Sequence, residues 1–342
     1  MLLEPSAGVT ALAPPLRPLL VIAIAYGLGV STPASATSHS RAKRGAGLSP
    51  AQHQALALQV ALDRAGFSPG EIDASMGAFT VQALAAFRAA RGITGTRAVD
   101  ASTAMALGAP YRNALVDYTV TDADMAGPFQ PAIPQDMAQK AELTDLGYGS
   151  PLEMLAERFH VKPALLTRLN PQTRLIAGAV MHVPAVEPLV IPTHHGERAA
   201  ATSGAPAGTS VEVTKDTGAL VVHDKDGHVL MYAPVTVGSD QDPLPIGDWK
   251  VVGIFEMPIF NFNPALFWDA DQTQAKARVA AGPNNPVGLV WIQINKEHFG
   301  FHGTPEPSRI GRSESHGCVR LTNWDALRLA ALVQPGTEVT LR

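Results

Sequence analysis

The residues able to do chemistry crowd into one stretch of twenty, FHGTPEPSRIGRSESHGCVR, at positions 301–320. It holds the only thiol of the chain, Cys318, two imidazoles, His302 and His316, a guanidinium at Arg320, and glycines at 303 and 317. A thiol with an ordinary pKa of about 8.5 is only a few per cent thiolate at neutral pH, so a nucleophilic cysteine needs a base or a positive charge beside it. His302 and His316 are the candidate bases and Arg320 the candidate charge. In an extended segment over 315–321 the two-residue period places His316, Cys318 and Arg320 on one face. Gly303 and Gly317 let backbone approach a substrate closely. Three readings fit these residues. Cys318 can be a small apolar residue buried between strands. His302, His316 and Cys318 can supply three zinc ligands, although no Cys-x-x-Cys or His-x-x-x-His pattern completes the set. Thiol and imidazole can also form a Cys/His acyl-transfer site, favoured by the retention of a single thiol in this chain.

What positions these groups must be read from the rest of the chain. Its 342 residues are 46% apolar and 16% charged, with a net charge of −4. That apolar fraction excludes a fully disordered chain, and the charge supplies no basic footprint for nucleic acid. A disulfide scaffold is excluded, because Cys318 has no partner within the chain. The length suits two or three domains of roughly 100–200 residues each. Residues 1–36 read as a signal peptide: Arg17 precedes the apolar run from Leu19 to Val30, and Ala34-Ser35-Ala36 supplies an A-x-A site. The run is about 12 residues, short of the roughly 20 that span a bilayer. The expectation is an exported protein, in the periplasm or cell wall. In that oxidising setting a leftover thiol is either buried and inert or kept for its reactivity.

Residues 37–49 form a basic linker, and residues 50–110 read as a small helical domain. Leu58 and Leu62 recur at helical spacing after Pro50, Val81, Leu84 and Phe87 form a second stripe, and Asp100 caps a third helix. Residues 111–144 carry three prolines with weak periodicity and read as a connector. Across 145–186, Ser150-Pro151-Leu152-Glu153 is a capping box with Pro at the first helical position, and Pro163 opens a second short helix. Residues 187–210, rich in Ala, Gly, Pro, Thr and Ser, read as a second linker. From 211 to 342 the pattern turns β, with strands expected near 219–223, 228–237, 249–255, 289–295 and 338–342 and a helix over 324–332. The fold class is therefore multidomain α+β, ending in a β-rich domain of about 130 residues.

Family resemblances attach to three of these segments. ALALQVALDRAGFSPGEIDASMGAFTVQALAAFRAARG resembles the three-helix peptidoglycan-binding domain, with Ala74 where that family usually has Gly. YGSPLEMLAERFHVKPALLTRLNP, followed by LIAGAVMHVP, resembles a LysM glycan-binding module with βααβ order, Gly149-Ser150 standing for the usual Gly-Asp. AGPNNPVGLVWIQINKEHFGFHGTPEPSRIGRSESHGCVRLTNWDALRLA resembles the catalytic domain of the L,D-transpeptidases, through GPNNP-x-G, HGT and the Ser315-His316-Gly317-Cys318 motif followed by Val-Arg-Leu.

The last resemblance implies a nucleophile at Cys318 and a general acid/base at His302, oriented by the backbone carbonyl of Gly303. It implies a structural or substrate-positioning role for His316, motif roles for Ser315 and Gly317, and a substrate carboxylate or supporting contact for Arg320. The implied partners are peptidoglycan stem peptides and glycan strands, with no metal and no cofactor. The implied reaction acylates Cys318 with the third residue of a tetrapeptide stem and releases D-Ala. Acyl transfer then goes to a second stem, to water or to a protein lysine. Nothing in the sequence marks an oligomeric surface, and a monomer is expected.

Overall fold

Ser49 and Gln52 cap the first helix reciprocally, each side chain taking the other's backbone N–H, and Pro50 sits at the first helical position. In this computed structural model, which describes residues 47–95, 99–198 and 204–342, that helix is α1, Pro50–Arg64. The expected signal peptide at 1–36 and nearly all of the linker at 37–49 lie outside the described residues. Among those described, no helix is long and apolar enough to cross a membrane. Helices α2 (Ala78–Ala90) and α3 (Ala101–Arg112, capped by Asp100) follow. Leu58, Leu62, Phe67, Leu84 and Phe87 pack between them, with the rings of Phe67 and Phe87 edge-to-face at 5.4 Å.

The segment read as a connector, 111–144, carries regular structure. It holds β1 (Leu115–Thr119) and two short helices, α4 (Asp122–Ala126) and α5 (Met137–Ala141). Strand β1 pairs antiparallel with β2 (Val180–Pro184), and α6 (Pro151–Arg158) and α7 (Pro163–Leu169) lie between them in sequence. The strand pair that encloses α4 to α7 in sequence thus begins at Leu115, upstream of the expected boundary at 145. The sequence conceals β1 because it has no buried face: Val116, Asp117 and Thr119 are all exposed, so hydrophobic alternation is missing.

The C-terminal part is β-rich. Its strands are β3 (Gly196–Glu197), β4 (Ser210–Thr214), β5 (Ala219–His223), β6 (Val229–Pro234), β7 (Thr236–Val237), β8 (Gly247–Glu256), β9 (Phe260–Phe262), β10 (Ala277–Val279), β11 (Val290–Ile294), β12 (Gly300–His302), β13 (Val319–Arg320) and β14 (Glu338–Leu341). Helix α8 spans Asn323–Leu332. The main sheet runs β6-β5-β4-β14-β8-β11-β12-β13-β7, with β3 added to β8 inside the stretch read as a linker. Leu220, Ile254, Ile292, Phe301, Leu321 and Leu329 belong to its buried core. The five expected strands and the helix are all present. Of those not expected, β3, β9, β10, β12 and β13 have two or three residues each, too few to establish a period, while the five-residue β4 straddles the expected linker boundary at 210.

The helical N-terminal part is docked on this sheet. Ser68 N–H donates to Tyr232 O and Tyr232 N–H to Gly66 O, both at 2.8 Å, so the loop after α1 extends the edge at β6. Gly66 has φ +85°, and a Cβ there would lie 2.8 Å from the Leu230 carbonyl oxygen. Beneath this contact Asp63 meets His160 Nδ1 and Arg328 Nη2, each at 3.1 Å, and Ser68 Oγ donates to Asp325 at 2.7 Å. One buried polar cluster therefore joins α1, the loop after α6, and α8.

Candidate active site

Parallel pairing of β12 with β13 sets the site. His302 lies opposite Arg320 and Phe301 opposite Val319. Residues opposite one another in a sheet share a face, and Cys318 lies in the bend just before β13. On the other side of β12, β11 places Trp291 opposite His302, and their rings stack at 5.6 Å with 18° between planes. This face floors a cavity of about 1000 Å³. Cys318, His302, Arg320, Ser315, His316 and Trp291 all line it.

The ring of His302 is buried, with Nδ1 2.6 Å from Gly303 O. A carbonyl oxygen only accepts, so Nδ1 carries the proton and Nε2 keeps its lone pair. Burial and the nearby Arg320 guanidinium lower the His302 pKa to about 3, against the opposing effect of the Gly303 bond. Burial pushes the Cys318 thiol up to about 11, although the Gly300 backbone and Arg320 favour its thiolate. Its Sγ–H donates to His298 O at 3.5 Å. The resting pair is thus a neutral imidazole with a free ring nitrogen beside a neutral thiol.

The remaining motif residues shape the loop before the thiol. Ser315 Oγ donates to Cys318 O at 2.7 Å and its N–H to Gly238 O at 3.1 Å. Gly317 has φ +90°, and a Cβ there would fall 2.3 Å from the Phe299 ring, so only glycine fits. Arg320 is half-buried with its Nε unpaired, and its guanidinium borders the cavity. His316 faces a different element. Its Nε2 lies 2.7 Å from Asp269 Oδ1 and its ring meets the edge of Phe267 at 4.8 Å, on the turn between β9 and β10.

With His302 Nδ1 on Gly303 and His316 Nε2 on Asp269, the three candidate zinc ligands do not converge. Among the described residues the ligand atoms that do cluster are those of Asp224, Asp226 and His228, on the exposed turn between β5 and β6.

Sequence reasoning missed several residues at the cavity. Trp291 sat within an expected strand, and only the burial pattern of β11 shows that it faces away from the apolar core. Asp269 and Phe267 lie in a loop with no period to read. Gln135, Asp136 and Met137 come from the segment read as a connector, yet they line the same cavity.

A thiol and a free imidazole nitrogen in residues lining one cavity are the equipment of a cysteine-dependent acyltransferase. Residues 208–341 match the family model of the L,D-transpeptidase catalytic domain, YkuD. The Bacillus subtilis (strain 168) protein named as the L,D-transpeptidase YkuD is 27% identical over 196 residues, covering 56% of this chain and 94% of that one. The Escherichia coli (strain K12) protein named as the L,D-transpeptidase YbiS is 26% identical over 202 residues, covering 56% of this chain and 60% of that one. Among solved structures, an L,D-transpeptidase from Mycobacterium smegmatis is similar at 19% identity and a TM-score of 0.33, over 50% of this chain and 76% of that chain.

Proposed function

We propose that the chain is a peptidoglycan L,D-transpeptidase using Cys318 as nucleophile and His302 as general acid and base. The observation that carries this reading is the tautomer of His302: Gly303 O holds the Nδ1 proton, which leaves Nε2 free in a residue that lines one cavity with Cys318. Cys318 Sγ attacks the carbonyl of the third residue of a tetrapeptide stem while its proton passes to Nε2. Backbone N–H groups at Gly317 and Cys318 receive the developing oxyanion. The tetrahedral intermediate collapses to a thioester, and D-Ala leaves as an amine protonated by His302. An acceptor amine then attacks the thioester, gives its proton to Nε2, and expels the Cys318 sulfur, which recovers the proton. One amide is exchanged for another, so the cycle needs no ATP and no redox partner.

Arg320 supports the reading by its place. Its positive charge both favours the thiolate and offers a partner for a substrate carboxylate. With the side-chain amine of a second stem as acceptor the product is a 3→3 crosslink. A protein lysine would give a wall-anchored protein, and water would give L,D-carboxypeptidase activity. Export by the N-terminal 1–36 segment, to the periplasm or wall, and glycan contact by the two N-terminal units belong to the same reading.

The test is intact-protein mass after incubation with a disaccharide-tetrapeptide, comparing the wild type with Cys318→Ala. A gain equal to the disaccharide-tripeptide acyl group, in the wild type alone, is the expected result. No adduct and no released D-Ala would refute acyl transfer and leave a catalytically silent wall-binding protein.

A further inference from the structure

The wall behind His302 is closed by one amide and two glycines. A Cβ added to either Gly288 or Gly303 would lie 2.0 Å from Asn323 Oδ1, so this oxygen is seated against both backbones. The same oxygen accepts the Leu289 N–H at 3.1 Å. Gly303 is the residue whose carbonyl fixes the His302 proton on Nδ1. The position of the Asn323 oxygen therefore limits where that carbonyl can go.

What holds the amide is its other end. Asn323 Nδ2 donates to Glu157 Oε1 at 2.8 Å and to Pro283 O at 3.1 Å. Glu157 is on α6, outside the matched catalytic domain, and is only 9% exposed. The same helix grips the neighbouring GPNNP segment. Glu153 Oε1 accepts from Asn284 Nδ2 at 2.7 Å, just after the Leu146 backbone has exchanged hydrogen bonds with Ala281 and Asn284 at 2.9 Å.

We infer that Glu157 is a positioning residue for His302, acting through Asn323 and the Gly303 carbonyl. The inference rests on the reading of His302 as general base. Removing the Glu157 acceptor strands one Nδ2 hydrogen in a buried site, and the amide must turn to recover a partner. Its oxygen then leaves Gly303, the carbonyl is no longer confined, and the imidazole proton can move to Nε2, where it blocks proton transfer from the thiol.

The experiment uses the full chain with ¹⁵N-labelled histidine, comparing wild type, Glu157→Met and Glu157→Gln. Met keeps the volume without an acceptor, whereas Gln keeps an acceptor oxygen. The ring nitrogens of His302, assigned by comparison with His302→Gln, report which one carries the proton. Single-turnover acylation by the disaccharide-tetrapeptide reports the rate. In the wild type and Glu157→Gln the proton is expected on Nδ1. In Glu157→Met it is expected to divide between the nitrogens, with acylation about tenfold slower or more and substrate half-saturation within about twofold. Asn323→Ala, which cuts the link from the other side, must reproduce both changes and stands in should Glu157→Met fail to fold. Either folded variant with its proton wholly on Nδ1 and wild-type acylation overturns the inference. Because the ring-nitrogen signal needs no substrate, a wild type that is never acylated would refute the acyl-transfer reading while the tautomer still decides the role of Glu157.

Discussion

With His302 lowered to about 3 and Cys318 raised to about 11, both groups are uncharged across the neutral range. Under the proposed mechanism the nucleophile is made during attack, not stored beforehand, and that mechanism requires His302 to make it. Alkylation of Cys318 by iodoacetamide, which needs only thiolate, is expected to rise about tenfold per pH unit from pH 6 to 9. A plateau below pH 8 would reveal a preformed thiolate and contradict this account. His302→Ala should slow acylation by a disaccharide-tetrapeptide by about 10²–10⁴-fold. Its alkylation rate at pH 9 should stay within a few-fold of wild type, since that reaction does not pass through the imidazole. That Cys318 and His302 would line one site was legible because they stand sixteen residues apart in a stretch carrying a family resemblance. The pairing of His316 with Asp269 was not legible, because the partner lies in a loop whose approach only the sheet determines.

At the scale of elements, two buried carboxylates set opposite responses to pH. Burial raises the Glu157 carboxyl from an ordinary value near 4.5 to about 7, while Tyr148 and Asn323 oppose the shift by hydrogen bonding to it. A raised folded-state pKa stabilises below the unfolded value and is lost as pH rises through the folded one. Chemical denaturation of the wild type should therefore show stability falling between pH 5 and 7.5, by on the order of 3 kcal/mol. Glu157→Gln should flatten that slope. Asp63 runs the other way. Although burial pushes its carboxyl up, Arg328 and His160 hold it well below the usual range, so its contribution is present above about pH 4 and fades on further acidification. Arg328→Met leaves Asp63 and Asp325 buried without their cation, at an expected cost of about 3–5 kcal/mol in urea unfolding at pH 7. A loss below about 1 kcal/mol would show that the cluster is dispensable. Neither effect could be read from the sequence. The capping-box sequence of Ser150 and Glu153 announced α6, but a Glu or Asp on a helix reads as solvated until the surface that covers it is known.

For the whole molecule, the decisive fact is where the N-terminal units put their polar groups. A unit on a flexible tether keeps its charges in water and serves by raising local concentration on a polymer. Here Asp63 and Ser68 are buried against α8, Glu157 against Asn323, and the loop 66–68 occupies the edge beside β6. His160 stacks on Trp324 at 4.9 Å, covering an indole that would otherwise meet solvent. The family match begins at residue 208, but the packing that covers the matched part reaches further upstream. A fragment of residues 204–342 would expose Trp324 and the β6 edge and leave Arg328, Asp325 and Asn323 without their partners. Several such losses together exceed the margin of about 5–15 kcal/mol by which domains are stable. We expect the fragment to be insoluble, or to lack a cooperative thermal transition, under conditions where residues 47–342 unfold cooperatively. A fragment that melts cooperatively and is acylated at the full-length rate would show instead that the N-terminal units merely rest on the catalytic domain. In that event deleting residues 47–110 would leave acylation by a soluble stem peptide unchanged, whereas burial of Asp63 and Ser68 requires that it slow that acylation.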